Sequence, residues 1–189
     1  GLTDSAGRPM ANGTTIRVPN SGLLSFDIGE PAHAGSVFSS AVGEYDIEAG
    51  GTGIEGARDV FTFVAGLHEG DFDLRLEVTN LLREGAAPQT GLMLRDSTDP
   101  GSRQVAVLIE WASLGARLRL LTRERSGGDT VSWPAAGDPV VLDHARSWLR
   151  LRRQGNELTA FRSADGLSWL ELARHRPYPP LPGIVWLGM

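Results

Sequence analysis

The stretch Asp71-Phe72-Asp73-Leu74-Arg75-Leu76-Glu77-Val78 alternates strictly, with Phe72, Leu74, Leu76 and Val78 on one face and four charged residues on the other. A period of two is that of an extended chain, so the segment reads as a strand with one buried side. Ala116 to Leu120 and Trp148 to Arg152 follow the same rule, as expected of antiparallel strands that face water on one side. Apolar or mixed runs at Val37–Val42, Val60–Val64, Thr90–Leu94 and Gln104–Trp111 predict further strands. Gly43, Gly50-Gly51-Thr52-Gly53, Asp99-Pro100-Gly101, Gly127-Gly128 and Gly155-Asn156 supply the reversals between them. No window longer than about two turns carries a 3.6-residue period, so the fold expected is all-β: an antiparallel, two-sheet β-sandwich.

Composition agrees with many short elements. The 189 residues include 24 Gly and 11 Pro, and both residue types punctuate structure rather than extend it. The length suits one domain with a short appendage. A net charge of -5 provides no basic field for a phosphate backbone, so nucleic acid is not an expected partner, and no polybasic patch or long apolar run predicts membrane insertion. All 18 cationic residues are arginine, which excludes lysine Schiff-base chemistry and lysine isopeptide cross-links. The chain has no cysteine, which excludes disulfides and thiolate metal sites.

Residues 1–20 differ in texture from the remainder. A turn-rich stretch from Gly1 to Gly13 leads into Thr14-Thr15-Ile16-Arg17-Val18 and a Pro19-Asn20-Ser21-Gly22 break. This resembles the final hairpin of a bacterial Ig-like domain, with Arg8 standing where that pattern has Asn. The division expected is therefore 1–20 as an N-terminal strand or the remnant of a preceding Ig-like domain, and 21–189 as the sandwich.

From Phe26 onward a series of stretches follows in order: Phe26-Asp27-Ile28-Gly29, Gly43-Glu44-Tyr45-Asp46-Ile47, Asp59-Val60-Phe61-Thr62-Phe63, Gly70-Asp71-Phe72-Asp73, Gly91-Leu92-Met93-Leu94-Arg95-Asp96-Ser97, Trp148-Leu149-Arg150-Leu151 and Phe161 to Trp169. Their order, and the Gly91–Ser97 block most specifically, resembles the DUF1349 family, a concanavalin A-like (laminin G-like) jelly roll of secreted bacterial proteins. The resemblance implies a jelly roll that is secreted or displayed on a cell surface. Family members continue past the stretch matching Gly183 to Gly188, so a chain that starts late and stops early is expected to be cut from a longer architecture.

Three chemical patterns stand out. Glu44, Asp46 and Glu48 occupy alternate positions of one predicted strand, with the outer two ~13 Å apart at Cα on a ~3.3 Å rise. Long side chains leaning together could approach the ~5.5 Å separation of a retaining glycosidase, in which Glu44 and Glu48 would be the catalytic pair. The competing reading is a solvated strand face. Ser163-Ala164-Asp165-Gly166-Leu167-Ser168-Trp169 resembles the Asp-box hairpin of sialidases, whose physics is structural: the Asp bonds the turn backbone and the Gly takes positive φ. Arginine rows at Arg117, Arg119, Arg123 and Arg125 and at Arg150 and Arg152 suit acidic sugars, or more simply cross-strand carboxylate partners.

Trp111, Trp133, Tyr178 and Trp186 fall near strand ends or in proline-containing loops, where a ring could stack on a sugar, whereas Trp148 and Trp169 are expected in the core. Asp59, Asp96 and Asp99 lie in loops suited to calcium, the one candidate cofactor. Three functions follow as expectations. The first is a non-catalytic module that binds polysaccharide or a cell-surface component through Trp111, Trp133 and Arg95. The second is a structural subunit of an extracellular fibre or adhesin. There Thr14, Thr15, Ile16, Arg17 and Val18 would add as a strand to a neighbouring module or copy. The third is the retaining glycoside hydrolase built on Glu44, Asp46 and Glu48.

Overall fold

The computed structural model describes residues 14–17, 22–82, 87–112, 115–133, 141–142 and 147–189, with the backbone alone described at 14–17, 112 and 141–142. In chain order the strands are β1 (Thr14–Arg17), β2 (Leu24–Ile28), β3 (Ser36–Ala41), β4 (Glu44–Glu48), β5 (Gly53–Glu55), β6 (Arg58–Glu69), β7 (Phe72–Val78) and β8 (Gln89–Arg95). They continue as β9 (Gln104–Ala112), β10 (Gly115–Arg123), β11 (Val131–Ser132), β12 (Val141–Leu142), β13 (Ser147–Gln154), β14 (Glu157–Ser163), β15 (Leu170–His175) and β16 (Ile184–Gly188).

These strands form two sheets. The first has the order β15-β14-β13-β7-β1-β4-β3, and the second β11-β10-β9-β8-β16-β6-β2, with β12 paired to β10 and β5 to β6. The pairings are antiparallel, as at β7–β13, β8–β9 and β9–β10. The fold is thus the all-β antiparallel sandwich that the alternation predicts.

The core between the sheets follows directly from that alternation. Leu76, Val78, Leu149 and Leu151 project from the first sheet onto Leu92, Leu94, Val105, Val107, Ile109 and Val185 of the second. The second sheet is apolar on its other face too: Phe63, Ala65, Met93, Ala106, Leu108 and Leu121 cluster there with Ile28 and with Ile54 of β5. The β5–β6 hairpin folds back over this face, where the Ile54 amide donates to Gln89 Oε1 at 3.3 Å. Strands buried on both sides lose the period of two, which is why Gly91–Leu94 and Val105–Ile109 read as continuous apolar runs.

Thr14–Arg17 forms a strand inside the first sheet, between β4 and β7. Val18, the last residue of the expected assembly segment, and the hairpin expected over residues 1–13 lie outside the described residues.

Candidate functional site

Several of the expected site residues are interior. Arg95, expected to present its guanidinium to a ligand, is fully buried, as is Asp59, expected as a calcium ligand. The two bind each other: Arg95 NH1 donates to Asp59 Oδ2 at 2.5 Å. Arg123, expected to face outward, is the third member and holds Asp59 through NH2 to Oδ1 at 2.6 Å and NH1 to Oδ2 at 2.9 Å. Two guanidinium groups thus already occupy the carboxylate where a metal would bind. Further bonds reach the carbonyls of Gly56, Pro100 and Ser102 from Arg123, and of Ser97 and Asp99 from Arg95, while the buried Arg123 Nε has no partner among the described residues. Burial lowers the Arg95 pKa from the ordinary arginine value, and the Asp59 bond opposes that shift.

This constellation staples the β5–β6 turn, the β8–β9 loop and the β10–β11 loop together. Asp96 and Asp99 do not join Asp59. Asp96 pairs with Arg103 at 3.5 Å, and burial raises its pKa. Asp99 Oδ1 accepts the Gly101 amide at 2.7 Å within its own turn. Among the described residues no three His, Asp or Glu side chains are grouped so as to hold a metal ion.

Trp133 is also buried, which removes it from the expected loop surface. Its indole Nε1 donates to the Arg174 carbonyl at 3.0 Å, and its ring lies 5.2 Å from that of His175. Trp111 is half-buried against the main core. Tyr178 is exposed, and Trp186 packs edge-on to Phe26 at 4.8 Å beside the exposed Leu24, Leu67 and Ile184.

Glu44, Asp46 and Glu48 lie on β4, one strand from the sheet edge, with Tyr45 and Ile47 packed toward the core between them. The carboxylates therefore line the outer face of the first sheet. Ser36 Oγ donates to Glu48 Oε2 at 3.3 Å and Ser40 Oγ to Glu44 Oε2 at 3.5 Å, both from β3 or its end. In register, Phe38 stands opposite Asp46, and Arg17 opposite Glu44.

The same outer face, two to four strands away, carries a second concentration of chemistry. Register sets three rungs across β7, β13 and β14: Glu77, Trp148 and Ser163; then Arg75, Arg150 and Phe161; then Asp73, Arg152 and Thr159. Arg75 and Arg150 stand directly opposite each other, an arrangement that cross-strand pairing ordinarily penalises. Asp73 relieves it. Arg150 grips Asp73 with two bonds, Nε to Oδ1 at 2.6 Å and NH2 to Oδ2 at 2.5 Å, while Arg75 lies 3.8 Å away. The Arg150 hydrogen bond lowers the Asp73 pKa, and the same bond raises that of Arg150.

Aromatic rings complete the arrangement. The guanidinium of Arg150 lies 4.9 Å from the Phe161 ring centroid and 5.5 Å from that of Trp169; Arg75 lies 5.6 Å from Trp169 and Arg152 5.4 Å from Phe161. Three guanidinium groups therefore share two rings and one carboxylate. Arg75 keeps about half of its side chain exposed, at 49%. Arg152 has a buried Nε with no hydrogen-bond partner among the described residues. At the rim, Arg174 holds Glu171 through bonds of 2.8 and 2.9 Å.

The Ser163–Trp169 turn builds one wall of this surface. Asp165 Oδ1 accepts the amides of Leu167 and Ser168, each at 2.8 Å, and Ser163 Oγ accepts that of Gly166 at 2.9 Å. Gly166 has φ of 73°, and a Cβ there would lie 2.8 Å from the Trp148 ring. Trp148 and Trp169 are half-buried on the outer face, where the core was expected. The alternation that names Leu149 and Leu151 as inward-facing also names Trp148, Arg150 and Arg152 as outward-facing, so the sequence held the signal. What it lacked was the register joining them to β7 and β14.

No family model and no curated protein matches the sequence. Among solved structures, the chain is similar to a crystal structure of a functionally unknown protein from Saccharomyces cerevisiae. The TM-score is 0.61 at 17% identity, covering 88% of this chain and 84% of that one. At that identity the likeness concerns the fold.

Proposed function

We propose that the chain is a non-catalytic extracellular module, secreted or displayed on a cell surface, that binds anionic polysaccharide on the outer face of β7, β13 and β14. The observation that carries this reading is the pairing of Arg75 with Arg150 across adjacent strands over the shared Trp169 ring, with one carboxylate between three guanidinium groups. A surface on which three guanidinium groups flank two aromatic rings suits a sugar that offers a ring face to the indole and a carboxylate or sulfate to a guanidinium fork. It stands out further on a chain whose net charge is -5. A concanavalin A-like jelly roll accommodates such a role, since that architecture hosts binding modules as readily as enzymes.

The test is affinity electrophoresis through gels containing a uronic-acid polymer, a sulfated polymer or a neutral glucan. Retardation is expected in the two anionic gels, weakening with added salt, and lost in Arg75→Gln and Arg152→Gln variants that keep the native far-ultraviolet spectrum. Equal retardation by the neutral glucan, or none in any gel, overturns the reading.

A further inference from the structure

Two strands set the centre of the arginine surface as a square. Asp73 and Arg75 are two residues apart on β7, and Arg152 and Arg150 stand opposite them on β13. Period-two spacing puts all four on the outer face, where diagonal neighbours lie about 7–8 Å apart. One diagonal is closed. Arg150 holds both oxygens of Asp73, at 2.6 and 2.5 Å, so its guanidinium fork and the carboxylate of the square are committed to each other.

The other diagonal joins Arg75 and Arg152. Arg75 Nε lies 3.8 Å from Asp73 Oδ1, beyond hydrogen-bond reach, and half of its side chain is exposed. Arg152 faces Asp73 in register, and its Nε has no hydrogen-bond partner among the described residues. Aromatic rings hold these two arginines apart. Guanidinium and ring alternate in contact as Arg75, Trp169, Arg150, Phe161 and Arg152, with successive separations of 5.6, 5.5, 4.9 and 5.4 Å from guanidinium carbon to ring centroid. Arg75 and Arg152 are thus the two ends of the series and share no ring. Stacking on a ring orients each guanidinium and leaves its N–H edge to an acceptor.

An arrangement of this kind counts the charges on its ligand. A single carboxylate or sulfate docked on Arg75 has the closed Arg150–Asp73 pair between itself and Arg152, and the same holds from the other end. We infer that the surface is a two-point clamp. Its ligand is a stretch of acidic oligosaccharide with anionic groups on at least two sugar residues, one held by Arg75 and the other by Arg152, and the sugar chain runs along their diagonal across β7 and β13. This rests on the glycan reading above and adds to it the valency and direction of the ligand. Once the first group is bound, the second binds at the effective concentration set by the sugars that join them. Affinity therefore steps up when the oligomer becomes long enough to reach both arginines, and a monomer gains nothing from the second.

The test uses two linear series running from monomer to hexamer, one of galacturonate and one of glucose sulfated at each residue. Both are titrated by calorimetry against the parent chain, Arg75→Gln and Arg152→Gln, each with the native far-ultraviolet spectrum. In at least one series, affinity is expected to rise by about tenfold or more at a single short length and then level off. Either substitution alone is expected to remove the step, bringing the long oligomers to the affinity of the monomer. Arg174→Gln, which removes the same charge from the rim, is expected to weaken all lengths alike and keep the step. Affinity that climbs evenly with length, a step that survives in Arg75→Gln or Arg152→Gln, or one that is lost equally in Arg174→Gln overturns the inference. So does an unstepped or absent response to both series in a parent chain that the anionic gels still retard, a result that leaves the glycan reading standing. No response to either series together with no retardation in those gels removes both.

Discussion

Asp59 holds Arg123 with both carboxylate oxygens, at 2.6 and 2.9 Å, and both side chains are completely buried. Arg95 donates once more to Oδ2 of the same carboxylate, so two cations share one anion inside the protein. Removing one partner from a buried ionic group leaves the others uncompensated, at a cost of about 3–5 kcal/mol. Asp59→Ala leaves two arginines without their anion and is expected to destabilise the fold by that amount. Replacing all three residues with apolar ones of similar volume is expected to cost far less. Urea unfolding curves for the two variants, compared at equal slope, check the contrast.

The Asp165 carboxylate has its pKa lowered from 3.8 to about 2, chiefly by the amides of Ser168 and Leu167 and then by the Ser163 hydroxyl. A carboxyl whose pKa is depressed on folding stabilises the folded state above its unfolded value, and that contribution is lost as pH falls through the folded value. The turn is therefore expected to hold at pH 4 and loosen on acidification from about 3.8 to about 2. Amide chemical shifts of Leu167 and Ser168 followed through an acid titration should show a midpoint near the lower figure. Asp165→Asn should abolish that titration.

Much of the fold was legible because half-solvated strands declare themselves. Phe72 to Leu76 and Trp148 to Arg152 alternate in sequence and in burial alike. The site was less legible for two reasons. Arg95 and Asp59 are charged residues beside turn-rich loops, which makes them look like ligand contacts, yet their partners lie 36 and 64 residues apart along the chain. One clue was present: Arg95 ends the apolar run Leu92-Met93-Leu94, a place where a charge is buried and needs a partner. The arginine surface failed differently. Its outward-facing residues were visible one strand at a time, but whether Arg150 meets a carboxylate, a ring or another arginine depends on pairing between strands that sequence alone leaves open.

Gly91 stands opposite Leu108 where β8 pairs with β9. A Cβ at this position would lie 2.1 Å from the Val107 carbonyl oxygen and 2.8 Å from the Leu108 Cα, both backbone atoms that have no room to yield. Gly91→Ala is expected to force the two strands apart and cost about 1–3 kcal/mol, the range for overpacking in an interior. A lowered thermal midpoint with faster amide exchange on Leu92 and Leu108 checks it. A midpoint equal to that of the parent chain would show that β8 and β9 separate freely.

His175 and Glu124 close one end of the sandwich. His175 belongs to β15 at the edge of the first sheet, and Glu124 follows β10 of the second. Their Nε2 and Oε1 atoms lie 2.5 Å apart, while Glu124 Oε2 accepts the Tyr178 amide at 2.8 Å. Thr122 Oγ1 donates to the same Oε1 at 3.2 Å, and the Trp133 ring covers the imidazole. Because both partners keep some contact with water, the bond is worth nearer 1 kcal/mol than the upper range for charged groups. His175→Ala is accordingly expected to lower the thermal midpoint by about 2–4 °C in a domain of this size. Glu124→Gln can still accept the Tyr178 amide through its one carbonyl oxygen, with its NH2 turned to the imidazole, and is expected to lose less. Trp133 fluorescence gives a second readout: removing the imidazole changes its emission, whereas Glu124→Gln leaves the ring contact in place. A midpoint unchanged in His175→Ala would mean that the imidazole–carboxylate bond does not help to hold the sheets together at this end.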